Sequence, residues 1–207
     1  MNSSAARVGL GLLALCTTTL GQSSPPSSIP QAEIPVRGLY QQLVSHPIVG
    51  IQTPKRMKVL SPYLSSSLIH RINQARACRD VWFRLHPKND EKAPSTWFEF
   101  GLFSGYDDRG DPRAFRIDKT ESEDDGSFRV YVRLTEGPQE KPWNWQVAVV
   151  VVSGGGKFVI NDVIFLKDKD VDTESRLSEI LKLGCDGSHW VGHSNTNAKP
   201  SDPSLKQ

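Results

Sequence analysis

Apolar positions along this chain follow two periods. Over residues 36–85 they recur every three or four positions, and beyond residue 95 every second one. In the first regime Val36, Leu39, Tyr40 and Leu43 predict a helix over residues 35–45, stopped by Pro47. Residues 54–60 add a turn or two. Ser61-Pro62 joins a capping hydroxyl to a first-turn proline, which predicts the start of the longest helix. Leu64, Leu68, Ile72, Ala75, Cys78, Trp82 and Leu85 form its apolar stripe, and Pro87 ends it. Cys78 is thereby placed on a buried face.

In the second regime residues 97–103 read as a nearly continuous apolar strand. Phe115 and Ile117 alternate with Arg116 and Asp118, and Phe128, Val130, Val132 and Leu134 alternate with Arg129, Tyr131 and Arg133. Residues 143–152 and 157–166 supply two more strands, separated by the turn Gly154-Gly155-Gly156. Five strands joined by short turns predict an antiparallel meander. Asp172 or Thr173 then caps a short helix with Leu177, Ile180 and Leu181 turned inward, ended by Gly184. Helices ahead of an antiparallel sheet define an α+β class, with the long helix covering the sheet's apolar face.

The N-terminus adds a destination. Arg7 is the only charged side chain among the first 32 residues, and an apolar stretch over residues 8–15 follows it. Small residues at Thr19 and Gly21 complete the pattern of a signal peptide over residues 1–21. A lipoprotein anchored through Cys16 fits less well, because the bulky Leu15 precedes that cysteine. Residues 22–35, rich in Ser, Pro and Gln, read as a tether, residues 36–193 as one domain and residues 194–207 as a disordered tail. No other run is long or apolar enough to span a bilayer, so the destination is secreted or periplasmic.

Loss of Arg7 leaves 24 of the 25 basic residues against 23 acidic ones. That balance offers no overall electrostatic case for nucleic acid or an anionic membrane. The mature chain retains Cys78 and Cys185. In an exported domain these predict a disulfide closing about 108 residues, the alternative being two separate buried thiols.

Four stretches then carry a resemblance: residues 60–68 (LSPYLSSSL), 97–104 (WFEFGLFS), 126–134 (GSFRVYVRL) and 157–163 (KFVINDV). Together they resemble an uncharacterised family of exported bacterial domains, itself similar to the nuclear-transport-factor-2-like superfamily. The resemblance covers roughly residues 36–190. It implies a cone, a curved antiparallel sheet wrapped around N-terminal helices, and it brings no catalytic residues. Members of that superfamily range from isomerases and dehydratases to binding modules, so fold does not settle function.

Candidate chemistry is sparse. Glu99, set among Trp97, Phe98 and Phe100, is the best general acid or base, since apolar neighbours would keep its carboxyl protonated towards neutral pH. Trp97, Phe103 and Trp82 would wall its pocket. Cys185, His189 and His193 could ligate zinc, but a disulfide uses Cys185 better and no set of four is completed, so no metal is called. The acidic turns at Asp107, Asp108 and Asp111 and at Glu121, Glu123, Asp124 and Asp125 lack calcium-loop spacing. No cofactor motif stands in the chain. Arg116, Arg129, Tyr131, Arg133, Asn144 and Gln146 share the polar sheet face, a composition suited to a protein partner or a second subunit. The sequence therefore favours an exported binding module for an unknown protein or small-molecule ligand, without enzymatic activity. A small-molecule lyase or isomerase built around Glu99 is the alternative.

Overall fold

A computed structural model of the chain describes residues 28–87, 93, 97, 101–105, 112–138, 140–167 and 174–192. The proposed signal peptide, Cys16, Glu99, the acidic turn at residues 107–111, Asp172, Thr173, His193 and the C-terminal tail lie outside them.

Helices α1 (Ser28–Ser45), α2 (Pro54–Leu60) and α3 (Ser66–Leu85) come first. Strands β1 (Ala114–Ser122), β2 (Phe128–Glu136), β3 (Trp143–Gly154), β4 (Lys157–Phe165) and β5 (Ser175–Arg176) follow. A short helix α4 (Leu177–Ile180) and the hairpin β6 (Cys185–Asp186) and β7 (His189–Trp190) complete the order. Strands β1 to β5 form one antiparallel sheet in sequence order, with β1 and β5 as its edges, so the sheet does not close on itself. The α+β class is as the sequence predicts.

Four elements differ from the sequence reading. Helix α1 begins at Ser28, inside the presumed tether, and carries Pro35 within it. Burial of Ala32, Pro35 and Val36 in the core offsets the roughly 3 kcal/mol that an interior proline costs a helix. Ser61–Tyr63 is a separate 3-10 turn. The cap of α3 is Ser65, whose Oγ accepts from Leu68 N–H at 3.0 Å. The stripe of α3 ends at Trp82, and Leu85 is 62% exposed.

The fourth difference concerns residues 101–105, which form a tight turn where the sequence reading ended a strand. Gly101 O accepts from the N–H groups of Ser104 (3.0 Å) and Gly105 (2.8 Å). A Cβ at Gly101 would collide with Ser104 Oγ and Gly105 O, and Gly105 has φ +99°. Two buried side chains fix this turn to the core: Tyr40 Oη donates to Phe103 O (2.8 Å) and Trp145 Nε1 donates to Ser104 O (2.6 Å). Burial pushes the Tyr40 hydroxyl far above the ordinary phenol range. The fifth strand of the sheet is instead the two-residue β5.

The core lies between the helices and one sheet face, where Tyr40, Leu68, Ile72 and Trp82 meet Val130, Val132, Leu134 and Ile160. The start of α3 is tied to β4 at a bulge. Ser65 N–H donates to Ile160 O (2.7 Å), and Ser65 Oγ donates to Asn161 Oδ1 (2.8 Å). Asp162 performs the matching task for α4, accepting from Ser178 N–H (3.0 Å) and Ser178 Oγ (2.7 Å). Asn161 and Asp162, part of the sequence resemblance, thus hold helices to the sheet. Cys78 on α3 and Cys185 on β6 form a disulfide, with Cα atoms 6.1 Å apart. Among the described residues no helix is long and apolar enough to cross a membrane.

Candidate functional site on the open sheet face

Strand alternation sends every second side chain away from the helices, and register then places those side chains side by side. Arg116, Arg133 and Gln146 occupy one row across β1, β2 and β3. Lys119, Tyr131 and Ala148 form the next row, followed by Glu121, Arg129 and Val150. Thr135 and Asn144 lie on the other side of the first row, joined by a 2.8 Å hydrogen bond. The structure therefore gathers all six polar residues singled out from the sequence onto one face.

Asp118 organises this face. It sits at a β-bulge between Ile117 and Lys119, which turns its carboxylate over the first row. Arg116 Nε donates to Oδ1 at 2.9 Å. Arg133 Nε and Gln146 Nε2 each donate to Oδ2 at 2.9 Å, and Arg133 Nη2 stands 2.8 Å from the same oxygen. Side chains from three strands thus converge on one carboxylate that is 16% exposed. The hydrogen bond from Arg133 holds Asp118 below the usual carboxylate range, with partial burial opposing it and a weaker hydrogen bond from Arg116 adding to it.

A second cluster surrounds Tyr131. Lys119 Nζ lies 4.2 Å above the centre of its ring and 2.6 Å from Glu121 Oε1. Hydrogen bonding to Lys119 and then Tyr131 lowers the Glu121 carboxyl, while the bond to Tyr131 raises the Arg129 guanidinium. Arg129 Nε is 2.9 Å from Glu123 Oε1, as an ion pair whose N–H does not point along the contact. The arginines of this face are therefore fixed by carboxylates on the same surface. Sequence reasoning read Asp118 as one more alternating residue and missed its role. After Ile117 no apolar residue follows until Phe128, so the alternation carries no trace of the bulge.

The remaining candidates are placed as follows. Trp82, Trp97 and Phe103 are core side chains, 1%, 3% and 1% exposed. Trp97 packs edge-on against Trp82 and Trp190, with ring centres 6.1 and 5.4 Å away. Glu99 lies outside the described residues, so the structure does not place it against them. Cys185 is engaged in the disulfide and His189 is exposed. Among the described residues no group of three or more His, Cys, Asp or Glu side chains is arranged to hold a metal ion. The turn Glu123–Asp125 is closed internally: Gly126 N–H donates to Glu123 O (3.0 Å) and Ser127 N–H to Asp125 Oδ1 (2.9 Å). The Ser127 hydroxyl and N–H lower the Asp125 carboxyl.

Comparison with known proteins adds little. No protein family matches the chain, and no curated protein does. A solved structure of a protein of unknown function from Bacteroides thetaiotaomicron VPI-5482 is similar at 15% identity, over 66% of this chain and 87% of that one. Its TM-score of 0.33 carries no argument about fold or function.

Proposed function

We propose that this chain is an exported, non-catalytic binding module that receives a partner on its open sheet face. The observation that carries this reading is the Asp118 hub. Arginines already hydrogen-bonded to Asp118 lose less conformational entropy when a partner binds. A guanidinium has five N–H groups, and Asp118 engages only part of Arg133. The face therefore suits a partner rich in hydrogen-bond acceptors, with Tyr131 supplying apolar contact. Export is supported by the long-range disulfide, a bond that persists in oxidising compartments, and by the charged and then apolar N-terminus. The likeness to nuclear-transport-factor-2-like domains belongs to the same reading, supported by helices on one face of a five-stranded antiparallel sheet.

The test is photo-crosslinking in the exporting cell, from a reactive residue placed at Gln146 and, separately, at exposed Ser67 on α3. The proposal expects a discrete adduct from position 146 that disappears when Arg133→Glu is added, and none from position 67. Equal adducts from both positions, or none from position 146, would overturn it.

A further inference from the structure

The near-neutral total charge of the chain conceals a segregation. Residues 34–79 contain seven Lys or Arg and no Asp or Glu. They build most of α1, all of α2 and most of α3. Within this region the loop at residues 46–53 is held by guanidiniums on backbone carbonyls. Arg56 Nη2 donates to His46 O (3.0 Å) and Pro47 O (2.8 Å), Arg76 Nε to Gln52 O (2.8 Å) and Arg79 Nη1 to Ile51 O (3.0 Å). Carbonyl dipoles satisfy Arg56 and Arg76 without cancelling their charge, whereas Arg79 also pairs with Asp80 (3.1 Å) and Arg37 with Glu33 (2.7 Å), carboxylates just outside this run. Burial, and after it neighbouring Arg79, lowers the Arg76 guanidinium, against a smaller opposing effect of Asp80.

Between this loop, the last turns of α1 and α2 lies a cleft of about 380 Å³, within the size range of small-molecule sites. Its wall is mostly apolar, from Ile48, Val59 and Leu60, and its rim carries His46, Lys55 and Arg56. Val59 is 52% exposed, an apolar side chain left in water beside cations. Among the described residues, Lys55 and Arg56 form no ion pair with a carboxylate.

We propose that this cleft binds a small anionic amphiphile, a carboxylate or phosphate head carrying an apolar tail. The tail covers Ile48, Val59 and Leu60, and the head meets Lys55 and Arg56 on the rim. Charge complementarity and the apolar wall each call for one half of such a molecule. A nucleotide is a poorer match, because no Phe, Tyr or Trp lines the cleft for a base to stack on.

Calorimetric titration of the full chain with decanoate and with uncharged decanol tests this. Saturable decanoate binding is expected, several-fold weaker for decanol and weakened by added salt. Lys55→Glu should weaken decanoate roughly tenfold, as reversal of a charge a few ångströms from the head does. Val59→Glu should abolish binding and Lys141→Glu, on the β2–β3 loop, should leave it unchanged. All three positions are exposed, and equal melting temperatures verify that the variants fold. Equal affinity for decanol, salt-independent binding of the unaltered protein, or full affinity in Lys55→Glu would overturn the proposal. So would binding to phosphatidylglycerol vesicles with none to monomeric decanoate, which would indicate a membrane-surface patch instead.

Discussion

Removing both cysteines, as Cys78→Ala with Cys185→Ala, probes the strongest long-range constraint in the fold. The bond spans 107 residues of sequence and encloses all five strands of the main sheet. On the chain-entropy account, opening a loop of that length returns about 5 kcal/mol of conformational freedom to the unfolded chain at 25 °C. Relaxation of the native state and residual structure in the unfolded state reduce the measured value, so a loss of about 3–5 kcal/mol is expected. Cys78 is fully buried on α3, and replacing its sulfur by hydrogen adds a small packing loss of the same sign. For a domain stable by about 5–15 kcal/mol, that is a large fraction of the whole. Without the bond, the hairpin β6–β7 is held to α3 by packing and by Trp190 against Trp97. Guanidinium unfolding followed by tryptophan fluorescence measures the loss, with unreduced and reduced parent protein as references. A double variant within about 1 kcal/mol of the oxidised parent would refute the reasoning, because the closed loop would then not constrain the unfolded chain.

Asp118 makes stability depend on pH. Its folded-state pKa is lowered, so its contribution is present above the unfolded carboxylate range and is lost as pH falls through the folded value. The melting temperature should therefore fall more steeply on acidification in the parent than in Asp118→Asn, and parallel curves would contradict this. At pH 7 the same variant should lose about 1–2 kcal/mol, modest because the pairs lie at the surface. Asp162→Ala should cost about 2–3 kcal/mol, since it strands the buried Ser178 hydroxyl and N–H; a loss below about 0.5 kcal/mol in urea unfolding would remove the capping role. Gly184→Ala should destabilise by about 1–3 kcal/mol and shift tryptophan emission, because its φ is +71° and a Cβ there meets the Trp190 ring. An unchanged emission spectrum would show that the ring does not rest on Gly184.

The sequence made some of this legible for identifiable reasons. A stripe at helical spacing located α3 and the burial of Cys78, and clean alternation located β2 and its polar face. The stretch over residues 97–105 misled because a continuous apolar run does not distinguish a strand from a buried turn. Tyr40 and Trp145, distant in sequence, decide the matter by bonding the carbonyls of Phe103 and Ser104. Strand β5 is two residues long and carries no period at all. The early start of α1 was hidden by Pro30 and Pro35, which read as breakers until Ala32 and Val36 are seen in the core. The candidate face was legible residue by residue, but its organising carboxylate was not. A bulge places Asp118 there, and with no apolar residue between Ile117 and Phe128 the alternation carries no trace of it.

In the protein's natural setting the proposed partner covers the sheet face around Asp118. Labelling with an arginine-specific dicarbonyl, in the intact exporting cell and on the purified protein, tests it most directly with mass-spectrometric readout at each arginine. Arg116 and Arg133 should be labelled several-fold less in the cell, relative to exposed Arg84 on α3. Equal relative labelling in both settings would contradict it.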